Sequence, residues 1–420
     1  MGAVALGVQV VAVVLTLSGV AYGLIALWGA RDFERGARRL SGGSGLAPGV
    51  SVLKPVRGVD ARMYAGLVSH CVQEYGGEYE LVFGVSSLED AAVAEVARLR
   101  VEWPGVAIRL VECKERLGAN GKVSNLVQMV GAARFEHVVV NDSDIRVSPR
   151  YLERVMAGFL AGPEQQVPYG KDNQKNNSKG KSKGNDESHD RGVGLVTVPY
   201  VGRAEGGVWS RLEALGISTD FMVGVLTARK LEGGIRFGLG STLATTKTAL
   251  AEIGGFEALV NELADDYEMG ARLAKTGYRV ELAGVVVETS VPAYSVRGFC
   301  EHQLRWARGT RDSRRWGYVG LGMTYMLPWA LAAVVASGGE LWSFSLLSIA
   351  LLVRVSVALR VGVGILRDGQ VLRDIWLLPV RDCFGLFFWA WSYASDVVVW
   401  RGERFRLRRG VLVKEAGSRK

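Results

Sequence analysis

His137-Val-Val-Val-Asn-Asp-Ser-Asp144 is the stretch on which the fold turns. A run of valines bounded by polar residues predicts a short buried strand over His137–Asn141. The strand delivers two carboxylates, one residue apart, to its carboxyl end. In an α/β sheet that end borders the crevice where ligands bind. Asp142 and Asp144 would suit a hard divalent cation, Mg²⁺ or Mn²⁺, which takes oxygen ligands and keeps positions open for diphosphate oxygens. Such a tripeptide is common in loops and helix caps, so its position at a strand end is what gives it weight.

Outward from this stretch, short β-branched runs alternate with amphipathic segments. Strands are predicted at Val50–Leu53, Glu80–Val85 and Ala107–Val111, with helices near Met63–Cys71, Ala91–Val101 and Lys122–Ala133. That order is the pattern of parallel strands with crossover helices. Lys171–Arg191 consists almost wholly of Lys, Asn, Ser, Gly and Asp, a composition that buries too little apolar surface to offset ordering, and it predicts a disordered insertion. A strand resumes at Gly194–Tyr200, so the insertion interrupts one domain.

Both ends of the chain are apolar. Met1–Ala30 carries no charged side chain, and Val4–Trp28 is long enough to cross a hydrocarbon core of about 30 Å. A signal peptide would want a basic leader and a small-residue cleavage site, and neither is clear here. Arg31, Arg35, Arg38 and Arg39 follow at once and mark the cytoplasmic side. Further apolar segments lie at about Tyr318–Ser337, Leu341–Leu366 and Ile375–Trp400. The charges Arg354, Arg360, Arg381, Asp382 and Asp396 within them imply segments that face one another, lie at the interface or re-enter. The division is an anchor over 1–30, a linker over 31–49, a cytoplasmic domain over 50–315 with an insertion at 171–191, membrane segments over 316–400 and a basic cytoplasmic tail over 401–420.

The 420 residues carry a formal net charge of +9. Much of the excess sits beside apolar segments, including Arg401, Arg404, Arg406, Arg408 and Arg409, where positive-inside bias and anionic lipids account for it without nucleic acid. Cys71, Cys113, Cys300 and Cys383 are scattered without metal-ligand spacing, as in a reducing compartment.

Two further elements carry chemistry. Leu263-Ala-Asp-Asp-Tyr267 precedes an amphipathic stretch, where acids complement a helix dipole or one of them serves as a general base. Glu301-His-Gln-Leu-Arg-Trp306 sets a cation beside an aromatic ring just before the membrane region. Arg305 could steady a departing diphosphate and Trp306 could stack on a sugar or acceptor, although the same pair is an ordinary interfacial anchor.

The order of these elements, framed by membrane segments, resembles the family-2-like inverting glycosyltransferases. More closely, the chain is similar to ceramide glucosyltransferases and the related hopanoid-pathway N-acetylglucosaminyl transferases. The resemblance rests on Ser51-Val-Leu-Lys-Pro-Val-Arg-Gly58, Gly118-Ala-Asn-Gly-Lys-Val-Ser-Asn-Leu126, Asn141-Asp-Ser-Asp-Ile-Arg146, Leu263-Ala-Asp-Asp-Tyr267, His302-Gln-Leu-Arg-Trp306 and Trp400-Arg-Gly-Glu-Arg-Phe-Arg-Leu407.

It implies an α/β, GT-A (Rossmann-like) domain with one N-terminal and two to three C-terminal membrane helices, multi-pass in the inner membrane. It also implies a UDP-sugar donor, Mg²⁺ or Mn²⁺, a lipid acceptor such as ceramide or a hopanoid polyol, and inversion at the anomeric carbon. By matching position, Pro55 lines the nucleotide site, Lys122 approaches the donor, and Asp142 and Asp144 serve nucleotide and metal. Asp266 falls on the base position and Asp265 on its acidic neighbour. His302, Arg305 and Trp306 meet diphosphate or acceptor. The pattern departs from the family at Ser87, which stands where an earlier Asp commonly touches the nucleotide base; either Glu89 or Asp90 compensates or discrimination of uracil is relaxed. It departs again at His302, where Gln or Arg is usual. A processive polysaccharide synthase shares these motifs but needs a polymer channel, for which the apolar segments are too few and too charged. A non-catalytic membrane protein with a GT-A-like domain is the third reading.

Overall fold

The computed structural model describes residues 3–39, 47–60, 62–160, 191–400 and 402–414. Most of the Lys171–Arg191 expectation lies outside the described residues. Arg191 itself pairs with Glu252.

The strands, in chain order, are β1 (Val50–Pro55), β2 (Tyr79–Val85), β3 (Ala107–Glu112), β4 (His137–Val140), β5 (Val193–Thr197), β6 (Tyr200–Ala204), β7 (Leu243–Thr246), β8 (Arg279–Leu282), β9 (Val287–Val291), β10 (Val397–Trp400), β11 (Glu403–Arg408) and β12 (Val411–Lys414). Seven form the main sheet in the order β3-β2-β1-β4-β7-β5-β8. β3, β2, β1 and β4 run parallel, whereas β7 is antiparallel to both β4 and β5. The order in which strands are added across the sheet reverses between β1 and β4, which is the switch point where open α/β sheets bind ligands. Val52, Leu53, Leu81, Phe83, Val138, Val139 and Val140 are fully buried, in keeping with strands covered on both faces.

The residues Gly194–Tyr200 do not form one strand. Pairing in the main sheet stops at Thr197, Pro199 lacks the N–H a ladder needs, and β6 begins at Tyr200 as the partner of β9 in a separate two-stranded sheet. That small sheet lies against the Asp142–Asp144 loop through paired backbone hydrogen bonds between Arg146 and Glu288.

The N-terminal helix runs from Ala3 to Arg39, well past the anchor end expected at Ala30. Residues read as linker continue the helix because Asp32 pairs with Arg229 and Lys230, Glu34 pairs with Arg360, and Phe33 is buried. The upper part faces outward with Val4, Leu6, Val10, Val14 and Leu17 exposed. It packs on the helices Met326–Ala336 and Leu341–Ala358 at small residues. A Cβ on Gly19 would lie 2.7 Å from Met326 Cβ, and one on Gly23 would lie 2.7 Å from Val353 Cγ1.

Among the described residues two helices are long and apolar enough to cross a membrane, Val4–Ala37 and Leu341–Ile365. A third crossing arises if Arg315–Leu321 and Met326–Ala336, which meet at 46°, count as one. Ile375–Trp400 is not a spanning helix. Its regular helix covers only Leu378–Trp391, and Val397–Trp400 is β10. Within that helix Arg381 and Asp382 turn inward to Asp220 and Arg354, and beyond its end Asp396 pairs with Arg311.

The described part of the basic segment, residues 402–414, also folds. β10, β11 and β12 form an antiparallel sheet whose Val398, Phe405, Leu407 and Leu412 are buried beside Ala119 and Leu263. Backbone bonds from Leu263 N to Gly410 O (3.0 Å) and from Leu412 N to Asn261 O (2.8 Å) tie it to the loop before the Asp265–Asp266 pair.

Candidate functional site

β4 ends at Val140, and Asn141 fixes the turn that follows. Its Nδ2 donates to Ser241 O (2.8 Å), Thr242 Oγ1 (3.0 Å) and Tyr151 Oη (3.0 Å), all inside the protein. The next residues reach the crevice above β1 and β4. Lys54, fully buried near the end of β1, spans the switch point by donating to Asp142 O at 2.9 Å. Burial pulls its ammonium down to about 7 despite the nearby Asp144 and Asp142.

Three sequence elements meet on one ammonium. Lys122 lies in the first turn of the helix Gly121–Val130, which Asn120 caps by accepting from Val123 N at 3.2 Å. Lys122 Nζ is 2.8 Å from Asp142 Oδ1 and 3.5 Å from Asp265 Oδ2. Burial would lower this ammonium, but Asp142 and Asp265 hold it above its ordinary range.

The two acids that open the helix Asp265–Lys275 have different surroundings. Asp265 is buried, accepts from Asn120 Nδ2 at 3.2 Å and faces Lys122. The hydrogen bond to the Asp266 carboxylate comes from its own helix, from Tyr267 N to Oδ1 at 2.8 Å. Burial, with the charge of Asp265 adding, pushes the Asp266 carboxyl up to about 6. Gly240 leaves it room, since a Cβ there would lie 3.1 Å from Asp266 Oδ2.

Asp144 is held by β9. Its Oδ2 accepts from Thr289 Oγ1 (2.5 Å) and Ser290 N (3.0 Å). Burial, then the charge of Asp142, raises its carboxyl above the usual range, so the negative charge there is under-compensated. The buried phenol of Tyr200 shares this space. Burial and then Asp266, Asp142, Glu213 and Asp144 push it far up.

A divalent cation fits this chemistry, since two oxygen-donor carboxylates lie together and one is ionised at a cost that a cation would remove. No group of three or more His, Cys, Asp or Glu side chains placed to hold an ion occurs among the described residues. Asp142 and Asp144 would therefore need a ligand's phosphate oxygens or water to complete the shell.

The helix Val296–Ser313, capped by Ser295, forms another wall. His302 Nδ1 lies 3.1 Å from Glu213 Oε2, within ion-pair range but off the line of a hydrogen bond. The His302 ring stacks on Tyr294 at 5.4 Å and lies 5.5 Å from Trp306, which meets Phe221 at 5.7 Å. The Arg305 guanidinium is 5.9 Å from the Trp400 ring, joining two of the elements quoted from the sequence.

Pro55 ends β1 opposite Gly84, beside Lys54, and among the described residues no polar contact joins it to this cluster. Ser87 is exposed, and its Oγ accepts from Glu89 N at 3.1 Å. Asp90 is engaged in structure, since its Oδ1 accepts from Gly58 N (2.7 Å) and Ala92 N (2.9 Å). Sequence reading assigned no role to Lys54, Asn120, Tyr200 or Glu213. Lys54 and Asn120 stand inside the quoted motifs, whereas nothing around Glu213 or Tyr200 signals them.

The model for glycosyl transferase family 21 matches residues 11–179 and 186–413. Ceramide glucosyltransferase 3 of Caenorhabditis elegans is 28% identical over 267 residues, 62% of this chain and 50% of that protein. Ceramide glucosyltransferase 1 of the same organism is 26% identical over 265 residues, covering 62% and 49%. The chain thus spans about half the length of the curated relatives it matches. Among solved structures, the mannosyltransferase PcManGT from Pyrobaculum calidifontis, bound to GDP-Man and Mn²⁺, superposes with a TM-score of 0.52 at 20% identity. The superposition covers 90% of this chain and 99% of that one, and it establishes a GT-A glycosyltransferase fold. With the family model matching most of its length, the chain is a glycosyltransferase and belongs to glycosyl transferase family 21.

Proposed function

We propose that this glycosyltransferase moves a single glucose or N-acetylglucosamine, with inversion, from a UDP-sugar to the hydroxyl of a membrane lipid, ceramide or a hopanoid polyol. The observation that carries the reading is the meeting of Lys122, Asp142, Asp144 and Asp266 at the β1/β4 switch point, in a chain with two helices fit to cross a membrane.

In this reading Pro55 and Lys122 flank the donor, and His302 and Arg305 receive the negative charge of its diphosphate. Trp306 offers an aromatic face to sugar or acceptor. Bound at Asp142 and Asp144, Mg²⁺ or Mn²⁺ would neutralise the diphosphate and stabilise the leaving UDP. Asp266 takes the proton of the acceptor hydroxyl as its oxygen bonds to the anomeric carbon. The bond from that carbon to the diphosphate oxygen breaks on the opposite face, and UDP departs with the electron pair.

The test supplies the purified protein, in lipid nanodiscs, with labelled UDP-glucose or UDP-N-acetylglucosamine and with ceramide or a hopanoid polyol. Mass spectrometry should find one added sugar, with the anomeric configuration opposite to the donor's. A polymeric product, or no transfer to either lipid, would overturn the reading.

A base must be ionised to accept a proton, so the proposed role fixes a pH dependence. With Asp266 raised to about 6 in the donor-free protein, kcat/KM should fall about tenfold per pH unit below 6 and level off above it. Residual kcat/KM of Asp266→Asn should lack that acidic limb, and an unchanged limb in this variant would assign it to another group.

The catalytic domain is proposed to face the cytoplasm, on the side favoured by Arg31 and Arg35 and by the arginines of β11. A cysteine placed at exposed Arg408 should react with an impermeant thiol reagent only in inside-out vesicles. Reaction in right-side-out vesicles alone would reverse the topology.

A further inference from the structure

Gln303 stands inside the His302–Trp306 element and has no role in the reaction proposed above. It is buried, and its amide lies between opposite charges. Arg381 Nη1, from the helix Leu378–Trp391, donates to Gln303 Oε1 at 3.0 Å. Gln303 Nε2 donates to Glu213 Oε2 at a longer 3.4 Å. That same carboxylate oxygen is the one 3.1 Å from His302 Nδ1. A connected polar path therefore runs from the membrane-side helices to His302.

The path continues beyond Arg381. Its Nε donates to Asp220 Oδ2 at 2.9 Å, and Asp220 also meets Arg354, which pairs with Asp382 at 2.7 Å and donates to Thr219 O at 3.1 Å. Asp220 lies in the π-helical segment Ile217–Phe221 that directly follows the helix bearing Glu213. The packing is tight, since a Cβ on Gly216 would lie 2.3 Å from Arg381 Nε.

We propose that Gln303 is a positioning residue through which the membrane-side helix Leu378–Trp391 holds Glu213 against His302. An amide suits the place because it offers an acceptor to the guanidinium and donors to the carboxylate. A carboxylate at 303 would face Glu213, and an ammonium would face Arg381; each arrangement sets like charges together at low dielectric. The flanking charges also decide which way the amide points. Glu213 is 5% exposed at its side chain, so its carboxylate depends on Gln303, His302 and Tyr294 in place of water. The inference rests on the proposed role of His302 at the diphosphate or acceptor.

The test uses the full-length protein in nanodiscs with labelled UDP-glucose or UDP-N-acetylglucosamine and with ceramide or a hopanoid polyol. Gln303→Met, close in length, should lower kcat by about tenfold with the donor KM within about twofold. Gln303→Glu should be worse. Adding Glu213→Gln to Gln303→Glu exchanges the amide and the carboxylate and should recover kcat relative to Gln303→Glu alone, a coupling that two independent sites lack. The exchange keeps the inference falsifiable if Gln303→Met folds poorly. No recovery on exchange, or parent-like kcat in a folded Gln303→Met, would overturn it. His302→Ala separates the two claims. Parent-like turnover there overturns the role of His302 itself, and a drop there with a parent-like Gln303→Met overturns this inference alone.

Discussion

Asp142→Ala and Asp144→Ala are each expected to reduce cation-dependent sugar transfer by at least about a thousandfold, because the pair is proposed to hold the ion that neutralises the leaving diphosphate. The two changes should differ in what they do to the fold. Asp142 keeps 42% of its side chain exposed, and Lys122 retains Asp265 when it is removed. Asp144 accepts two hydrogen bonds from β9, so its loss leaves the Thr289 hydroxyl and the Ser290 N–H unpaired, at about 1–3 kcal/mol each where water cannot reach them. Asp144→Asn retains an acceptor for them and should unfold nearer the parent temperature while remaining inactive. Transfer assays across a Mn²⁺ titration, with thermal unfolding in parallel, check both statements. Full activity in either alanine variant, or parent-level turnover in excess chelator, would remove the cation from this site.

The central strands that build the crevice, β2, β1 and β4, were legible because they are covered on both faces. Runs such as Val138–Val140 and Leu81–Val85 are continuous, without a polar side chain, and bounded by polar residues, so their ends fall within about two residues of the expected ones. Where covering changed, the reading failed. Gly194–Tyr200 looks like one strand, yet Pro199 divides it between two sheets. Glu403–Arg408 was read for its charge, although alternation of exposed Arg404, Arg406 and Arg408 with buried Phe405 and Leu407 is a strand signal of period two. In Ile375–Trp400 the charges imply segments that face one another, and Asp382 does pair with Arg354 of the helix Leu341–Ala358, but hydropathy does not mark where the helix ends, at Trp391.

The site was legible to the extent that its groups sit in short motifs. Lys122, Asp142 and the Asp265–Asp266 pair come from three separated motifs, and the fold brings them onto one ammonium or beside it. Glu213 has no such flag. Its environment is set by Tyr294, His302 and Gln303, more than eighty residues away in sequence, and no local pattern encodes a contact of that range. Lys54 belongs to a quoted motif, but a lysine in a strand ordinarily signals an edge or a solvent face. Only the sheet order shows that this one is buried across the switch point.

Asp266→Asn is expected to lower kcat by at least about a hundredfold with the donor KM little changed, and Asp265→Asn to be the milder substitution. The environments of the two acids supply the reason. Asp265 accepts from Asn120 and faces Lys122, so its charge is committed to joining the loop before the helix Gly121–Val130 to the Asp142 side of the crevice. Among the described residues Asp266 accepts only a backbone N–H of its own helix, and burial with the charge of Asp265 raises it to about 6, which suits a group proposed to gain a proton during each turnover. Asparagine nearly conserves its size and can still accept from Tyr267 N, while the backbone bond from Gly238 N to Asp266 O is untouched. The change therefore removes the basic site and little else. Asp265→Asn leaves Lys122 with Asp142 alone and should weaken the donor side more than the chemical step. Steady-state kinetics with both substrates varied, together with UDP-sugar binding to each variant, separate the two roles. A collapse of donor affinity in Asp266→Asn, or a larger loss of kcat in Asp265→Asn, would reverse the assignment within the pair.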